Sequence, residues 1–109
     1  MSELVFANGS RIKAFPSTKK AGHGKTASLI TMDEADFHEF FIQGYEEAMP
    51  AAGRGAQVII VSTADEETSE SGFKKLYRSA PGNGFHKVFF NWRVVPGRDD
   101  QWYEDRKAE

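Results

Sequence analysis

The segment that most constrains the fold of this chain is the apolar run over residues 27–32, which ends abruptly in the adjacent carboxylates Asp33 and Glu34. A short apolar run between a polar segment and a charge cluster predicts a buried β-strand, because parallel strands that are covered on both faces lose the alternation of half-exposed strands. Asp33 and Glu34 would then lie at the carboxyl end of this strand. Ligands bind at that edge in open α/β sheets, so the two acids are candidates for chemistry.

The strand and its two acids have the pattern of a Walker B motif. The first acid of such a motif holds the Mg²⁺ of a bound nucleotide, commonly through water, and the second orients or deprotonates the water that attacks the γ-phosphate. Asp33 is therefore a candidate magnesium ligand and Glu34 a candidate catalytic carboxylate, with Mg²⁺ as cofactor and ATP as substrate. A structural alternative stays open, because acids also stabilise the N-terminus of a helix that follows a strand.

Composition narrows the class of protein. The chain has 109 residues, 39% of them hydrophobic, which suits one small domain or part of a larger one. Its formal net charge of -2 gives no global electrostatic case for nucleic-acid binding. Cysteine is absent, which excludes disulfides, thiolate chemistry and the usual structural zinc sites. We find neither a spanning apolar stretch of roughly 18 residues nor the layout of a signal peptide, so we expect a cytoplasmic protein without membrane contact.

A polar, basic and glycine-bearing segment precedes the central strand. Its Gly24-Lys25-Thr26 resembles the end of a phosphate-binding loop, but GxxxxGK[ST] requires a glycine where the chain has Lys19, and such a loop follows a strand and opens a helix. We interpret the segment as a solvated basic loop. His23 and Lys25, together with Arg54 in the glycine-rich connection 51–56, are possible contacts to phosphate.

Local patterns predict the remaining elements. Asn8-Gly9 between two short runs is a hairpin signal, because both positions tolerate positive φ. Apolar residues at helical spacing, stopped by Pro50, predict an amphipathic helix, and the β-branched run 57–63 predicts a second buried strand. That strand ends in Ser62 and Thr63, which either contact a phosphate or cap the next turn. The expected elements are a hairpin of 3–7 with 11–15, helix 36–49, strand 57–63, helix 73–80, strand 85–92 and a last helix capped by Asp100.

The alternation of strands and helices from residue 27 onward predicts an α/β protein with a mostly parallel sheet. The acidic loop over 64–70 is interpreted as a solvated face.

The motifs also occur in a recognisable order along the chain. The series resembles the ATPase domain of the large terminase subunit of tailed bacteriophages, and the resemblance covers nearly the whole chain. It rests on the order and spacing of Phe6-x-Asn8-Gly9-Ser10-x-Ile12, a basic glycine loop, Asp33-Glu34-Ala35 with a Phe-rich helix, Ile59-Ile60-Val61-Ser62-Thr63, and Gly72-Phe73. Proteins of this family are motors that package double-stranded DNA into a procapsid.

The resemblance implies a partial P-loop NTPase fold of the RecA-like type, a three-layer sandwich with a mostly parallel sheet and an N-terminal β-hairpin. It implies that Asp33 holds Mg²⁺, that Glu34 is the catalytic carboxylate, and that Ser62 and Thr63 form the coupling motif that senses the γ-phosphate. The implied partners are ATP, double-stranded DNA, the portal and the small terminase subunit, in the cytoplasm of a bacterial host.

The sequence departs from the family pattern in two ways, and these change what we expect of the chain. The Walker A segment and the nuclease domain have no counterpart in the sequence, so we expect residues 1–109 to form a single partial ATPase domain that needs a complementing Walker A segment and is inactive alone. The resemblance also implies a trans-acting role for the basic residues, but His23 stands where the family often has the arginine that is a candidate trans-acting finger, and a neutral imidazole cannot replace a guanidinium. Without a Walker A strand between them, strands 29–32 and 58–61 would pair directly in an ordered fold, although in solution we expect the chain to stay loose and aggregation-prone.

Two other functions remain open. Asp33-Glu34-Ala35-Asp36 spells the motif of DEAD-type helicases, and Ser62-Thr63-Ala64 is similar to the helicase motif that follows it. The other alternative is a non-catalytic prophage remnant that binds a protein partner through an uncovered sheet edge, since edge strands invite such pairing.

Overall fold

The computed structural model describes residues 2–16 and 26–109. Within these ranges the chain is an α/β protein with a small parallel sheet and an antiparallel hairpin, which confirms the predicted class. The elements are β1 Ser2–Val5, β2 Arg11–Ala14, β3 Ala27–Met32, α1 Phe41–Ala48, β4 Ala52–Ile60, α2 Gly72–Ser79 and α3 Asp100–Lys107. They belong to two compact units, Met1–Arg78 and Ser79–Glu109, which are described separately.

β1 and β2 form the predicted hairpin. They pair antiparallel with Leu4 opposite Ile12, and the Phe6 N–H donates to the Ser10 carbonyl at 2.8 Å. The turn needs a residue at positive φ, and Gly9 supplies it with φ 89°. Asn8 adds a local bond, since its Oδ1 accepts the Ser10 N–H at 3.0 Å. The dipeptide signal therefore located the hairpin correctly.

β3 and β4 pair directly and in parallel, as expected for an ordered chain. Ile30 lies opposite Val58 and Met32 opposite Ile60. The ladder continues past the end of β4, because the Val61 N–H donates to the carbonyl of Met32, the last residue of β3, at 2.9 Å. The carboxyl ends of the two strands therefore meet at one edge.

The prediction that both strands are buried on each face is wrong. Their side chains alternate, and the face that carries Leu29, Ile59 and Val61 leaves these residues 52%, 43% and 48% exposed. The opposite face, which includes Ile30 and Val58, is half-buried. The sheet is covered on one side only within the described ranges, and an apolar run alone does not reveal which layers will cover it.

The core of the first unit lies where α1 meets α2. Phe41 is only 7% exposed, and its ring meets that of Phe73 edge-on with centroids 6.2 Å apart. Gly72 allows the close approach, because a Cβ at this position would lie 2.1 Å from Cγ1 of Ile42. The predicted helix 36–49 is shorter than expected. A 3-10 turn over Ala35–Phe37 precedes α1, because the backbone N–H of Asp36 bonds outside the helix, to Ser62.

The second unit differs most from the predictions. Residues 85–90 form no strand, and Val88, Phe89 and Phe90 are 65%, 73% and 75% exposed. Strand-forming side chains do not make a strand unless a partner offers a ladder. α3 is present as predicted, but Asp99 rather than Asp100 caps it, since its Oδ1 accepts the Trp102 N–H at 2.9 Å.

Stacked rings hold this unit together. The ring centroid of Trp92 lies 5.1 Å from that of Tyr103 and 5.5 Å from that of Trp102. Arg93 and Arg98 lie over the two indole rings at 4.3 and 4.5 Å, in cation–π contacts. In the described parts of the chain, no helix has the length and hydrophobicity needed to cross a membrane.

Candidate functional site

The two motifs of the candidate site meet at the carboxyl edge of the parallel pair. Asp33 and Glu34 follow β3, and Ser62 and Thr63 follow β4. Backbone bonds hold the two segments together beyond the strands, because the Ala35 N–H donates to the Val61 carbonyl at 3.2 Å. The structure therefore brings the predicted carboxylates and hydroxyls to one edge, as the parallel arrangement requires.

A tight turn shapes the acid pair. Oδ1 of Asp33 accepts the N–H of Glu34 at 2.8 Å, and the Asp33 carbonyl accepts Nε2–H of His38 at 2.8 Å. Glu34 adopts the left-handed conformation with φ 55° and ψ 35°, which costs a residue with a side chain about 1–2 kcal/mol. Both acids are exposed, and the carboxylate of Glu34 has no hydrogen-bond partner among the described residues. The turn therefore presents a carboxylate to solvent from a fixed backbone.

The hydroxyls of Ser62 and Thr63 differ in their hydrogen bonding. Ser62 Oγ accepts the N–H of Asp36 at 3.0 Å and donates its own proton to the Thr63 carbonyl at 2.6 Å. Thr63 is exposed, and its hydroxyl has no partner in the part of the chain that the structure describes. The hydroxyl of Ser62 is thus used within the protein, whereas that of Thr63 is available to a ligand.

Beneath this edge lies a buried polar cluster centred on Asp36. The Asp36 carboxylate is 0% exposed and lies 2.7 Å from Nζ of Lys74. It also accepts the N–H of Asp65 at 2.6 Å and the hydroxyl of Ser71. Burial alone would raise the pKa of Asp36, but the hydrogen bonds and the charge of Lys74 outweigh it and hold the pKa below its ordinary value of 3.8.

The ammonium of Lys74 has partners on both sides. Besides Asp36 it donates to the carbonyls of Asp65, at 2.6 Å, and Thr68. The Asp65 carboxylate in turn accepts the Glu67 N–H at 3.0 Å and the Thr68 hydroxyl at 3.2 Å. Asp65 is therefore part of an ordered turn, so describing the whole acidic loop as a solvated face was wrong for this residue.

Sequence reasoning missed this cluster. Ser71 and Lys74 are three residues apart, a spacing that puts them on one side of the start of α2. That spacing was the only available signal, and it does not say which distant acid the pair will meet.

Of the basic candidates, the structure describes only the backbone of Arg54. His23 and Lys25 lie outside the described residues. The backbone of Arg54 lies near the amino-terminal end of β4, in the stretch between Ala52 and Gln57 where the pairing with β3 is irregular. The acids lie at the opposite, carboxyl end of the strand pair.

An open cleft lies beside the edge. Its volume is about 430 Å³, and it opens between the segment 36–43 and the loop 65–72, with Asp36, His38 and Thr68 in its wall. Asp33, Glu34, Ser62 and Thr63 are not in its lining. The cleft adjoins the candidate site without including its reactive groups.

Asp33 is the candidate metal ligand at this edge. Among the described residues, no group of three or more His, Asp or Glu is positioned to hold a metal ion. Mg²⁺ in nucleotide sites needs no such group, because one or two carboxylates combine with phosphate oxygens and waters. One carboxylate oxygen of Asp33 bonds to the Glu34 N–H, and the exposed group fits such a role.

Comparisons with known proteins add no identification. No family model matches the chain, and neither the curated proteins nor the solved structures contain a significant match. The function is therefore argued from the site.

Proposed function

We propose that this chain is part of an ATP-driven motor of the type found in the large terminase subunit of tailed bacteriophages, built on a P-loop NTPase fold. The observation that carries the proposal is the meeting of Asp33 and Glu34 with Ser62 and Thr63 at the carboxyl edge of one parallel strand pair. An acid pair beside a hydroxyl pair at this edge suits a Mg²⁺-nucleotide, because both the metal and the γ-phosphate need polar groups there.

The residues at this edge have three proposed roles, which are metal binding, orientation of the attacking water and sensing of the γ-phosphate. Bound Mg²⁺ would neutralise charge on the phosphates of ATP. Asp33 holds the metal from the end of β3, and Glu34, on a fixed turn with an uncommitted carboxylate, orients the attacking water. Ser62 and Thr63 sense the state of the γ-phosphate from the end of β4.

The partners and the cellular location that we propose come from the family resemblance. The partners are double-stranded DNA, the portal and the small terminase subunit, in the cytoplasm of a bacterial host. Efficient hydrolysis also needs a phosphate-binding loop and its lysine, so the site works together with a Walker A segment.

A paramagnetic titration tests whether Asp33 holds the metal ion. Mn²⁺ with ATP is added to the ¹⁵N-labelled chain, and broadening of the amide signals is mapped. We expect broadening centred on Asp33, Glu34 and Thr63, and its loss in Asp33→Asn, because the amide cannot supply a charged oxygen ligand. Asp105→Asn, which removes an exposed acid on α3, is the matched control and should keep the pattern.

Two results would contradict the proposal. One is broadening spread over the surface acids in general, and the other is an unchanged pattern in Asp33→Asn. Either result favours the non-catalytic, protein-binding alternative.

A DEAD-type helicase is the second candidate, and one contact favours it. The N–H of Asp36, the last residue of Asp33-Glu34-Ala35-Asp36, donates to Oγ of Ser62, the first residue of Ser62-Thr63-Ala64. The two segments that carry the helicase resemblance therefore touch. ATP hydrolysis by the chain joined to a phosphate-binding segment separates the candidates, since stimulation by RNA supports the helicase and stimulation by double-stranded DNA supports the motor.

A further inference from the structure

Thr63 lies between two residues that are both tied to Asp36. Ser62, directly before it, accepts the backbone N–H of Asp36 at 3.0 Å, and Asp65, two residues after it, donates its N–H to the Asp36 carboxylate at 2.6 Å. The residues on each side of Thr63 are therefore anchored to one residue of the neighbouring segment, Ser62 through its hydroxyl and Asp65 through its backbone N–H. Thr63 itself is exposed and keeps an uncommitted hydroxyl within the described structure.

The hydroxyl of Ser62, in contrast, is already hydrogen-bonded within the protein. It can donate only one proton, and it gives that proton to the Thr63 carbonyl at 2.6 Å. A bond from Ser62 to a phosphate oxygen would break this contact. Thr63 can donate to an anionic oxygen without any loss inside the protein, so the two hydroxyls are not equivalent.

Asp36 itself is held from a third direction. Its buried carboxylate contacts Lys74 and Ser71 at the start of α2 as well as the Asp65 N–H, so one side chain joins the segment after β3 and the loop after β4 to that helix. An ionised group with this many partners has a single orientation, because any rotation would leave a buried charge without its hydrogen bonds. The position of Thr63 is thus set by a group that does not reach the surface.

We propose that Thr63, and not Ser62, supplies the hydroxyl that contacts the terminal phosphate or its water, and that Asp36 is the positioning residue that holds Thr63 at the edge shared with Glu34. This inference rests on the proposed nucleotide function. It assigns separate tasks to two adjacent residues that the family resemblance treats as one motif.

Affinity for a non-hydrolysable nucleotide tests whether Thr63 supplies the hydroxyl that contacts the phosphate. Binding of AMP-PNP with Mg²⁺ to the 109-residue chain is followed by amide shifts, at a temperature well below the unfolding midpoint of each variant. Thr63→Val should weaken binding about tenfold or more, the usual effect of losing a hydrogen bond to a charged group. It should leave the midpoint and the Asp65 amide shift unchanged.

Two matched variants separate the hydroxyls. Thr63→Ser restores a hydroxyl at the same position and should bind within about threefold of the parent chain. Ser62→Ala should lower the unfolding midpoint and move the Asp36 amide signal, yet lose less affinity than Thr63→Val. A larger loss in Ser62→Ala than in Thr63→Val would overturn the assignment, as would a loss below about threefold in Thr63→Val.

The positioning role of Asp36 is tested by amide shifts in the absence of nucleotide and then by nucleotide binding. Asp36→Asn removes the charge at constant shape and should shift the amide signal of Thr63, and it should weaken AMP-PNP binding to the same degree as Thr63→Val. If this variant does not fold, Ser71→Ala, which removes one partner of the carboxylate, should give the same changes at smaller size. An unmoved Thr63 signal in the folded variant would refute the positioning role. Absence of binding both to the parent chain and to the chain joined to a phosphate-binding segment would instead overturn the proposed function, and this inference with it.

Discussion

The Nζ atom of Lys74 lies 2.7 Å from Oδ2 of Asp36, in an ion pair whose carboxylate is entirely buried and whose ammonium is 18% exposed. The pair joins the segment after β3 to the first turn of α2. Placing charges out of water is costly, and the pair is tolerable because Ser71 and the Asp65 N–H bind the remaining carboxylate positions. We therefore expect stability to depend far more on the loss of one partner than on the loss of both.

Lys74→Met should destabilise the first unit by about 3 kcal/mol, because it leaves the Asp36 charge buried without its counterion. Urea unfolding, followed by circular dichroism, measures the change. Arg78→Met on the same helix is the matched control, since Arg78 pairs with Glu70 at the exposed surface and should matter by less than about 1 kcal/mol. The double variant Asp36→Leu/Lys74→Met should be less destabilised than Lys74→Met. Equal losses in Lys74→Met and Arg78→Met would show that the buried pair has no special role.

The pH dependence of stability should report the ionised state of Asp36. Its folded pKa lies below the ordinary 3.8, because the bonds from Lys74, Ser71 and Asp65 outweigh the effect of burial. A lowered folded pKa means that the contribution of Asp36 is complete above the unfolded pKa and is lost as the pH falls through the folded pKa. The stability difference between the parent chain and Asp36→Asn should therefore be constant from pH 5 to 7 and shrink below about pH 4. A difference that grows on acidification would contradict this sign.

Local signals in the sequence located much of the fold. Asn8-Gly9 defined the hairpin turn, and the change from an apolar run to Asp33 marked the end of β3. These features depend on residues that are neighbours in the chain, so the physics that fixes them is visible in a short window. The direct pairing of β3 with β4 was predicted differently, from the strand order that the family resemblance implies and the lack of a Walker A strand between the two.

Long-range contacts account for what the sequence did not reveal. Asp36 was assigned to a helix, whereas it lies in a 3-10 turn and its partners Asp65, Ser71 and Lys74 lie 29 or more residues further along the chain. The segment 85–90 has strand-forming residues and yet forms no strand. Neither outcome can be derived from periodicity, because each depends on which distant segment arrives beside the residue.

Gly72→Ala should destabilise the packing of α1 against α2 by about 1–3 kcal/mol. The added Cβ would lie 2.1 Å from Cγ1 and 2.8 Å from Cδ1 of Ile42, so the isoleucine side chain must move. Thermal unfolding measures the loss. Ile42→Ala removes the clashing atoms, and in that background Gly72→Ala should have a much smaller effect. Additive losses in the double variant would indicate that the two residues do not meet.

The uncovered sheet face should promote self-association of the chain. Leu29, Ile59 and Val61 are about half exposed on one face of a parallel pair, and parallel sheets are normally covered on both sides. Ile59→Thr keeps a β-branched residue while reducing the apolar surface, so sedimentation velocity should show less concentration-dependent association at similar stability. Ile60→Thr, on the half-buried face, should instead lower stability. Unchanged association in Ile59→Thr would exclude this face as the cause.

Substitution of the two acids should separate binding from hydrolysis. In the chain supplied with a phosphate-binding segment, Asp33→Ala should weaken Mg²⁺-dependent ATP binding, because a metal ligand acts already in the ground state. Glu34→Gln should bind ATP normally yet lose hydrolysis, because a carboxylate that orients water acts mainly in the transition state. Nucleotide affinity and single-turnover hydrolysis, measured on the same samples, give the two quantities.

The 109-residue chain alone is the control for this last prediction. It should hydrolyse ATP at the background rate, because a magnesium carboxylate and a water-orienting carboxylate contribute little when no lysine and backbone cradle hold the β- and γ-phosphates. Turnover above background that Glu34→Gln abolishes would mean that this edge works without such a cradle. Equal loss of binding in Asp33→Ala and Glu34→Gln would mean that the two carboxylates share one role, and the division of labour derived from their positions on the turn would be wrong.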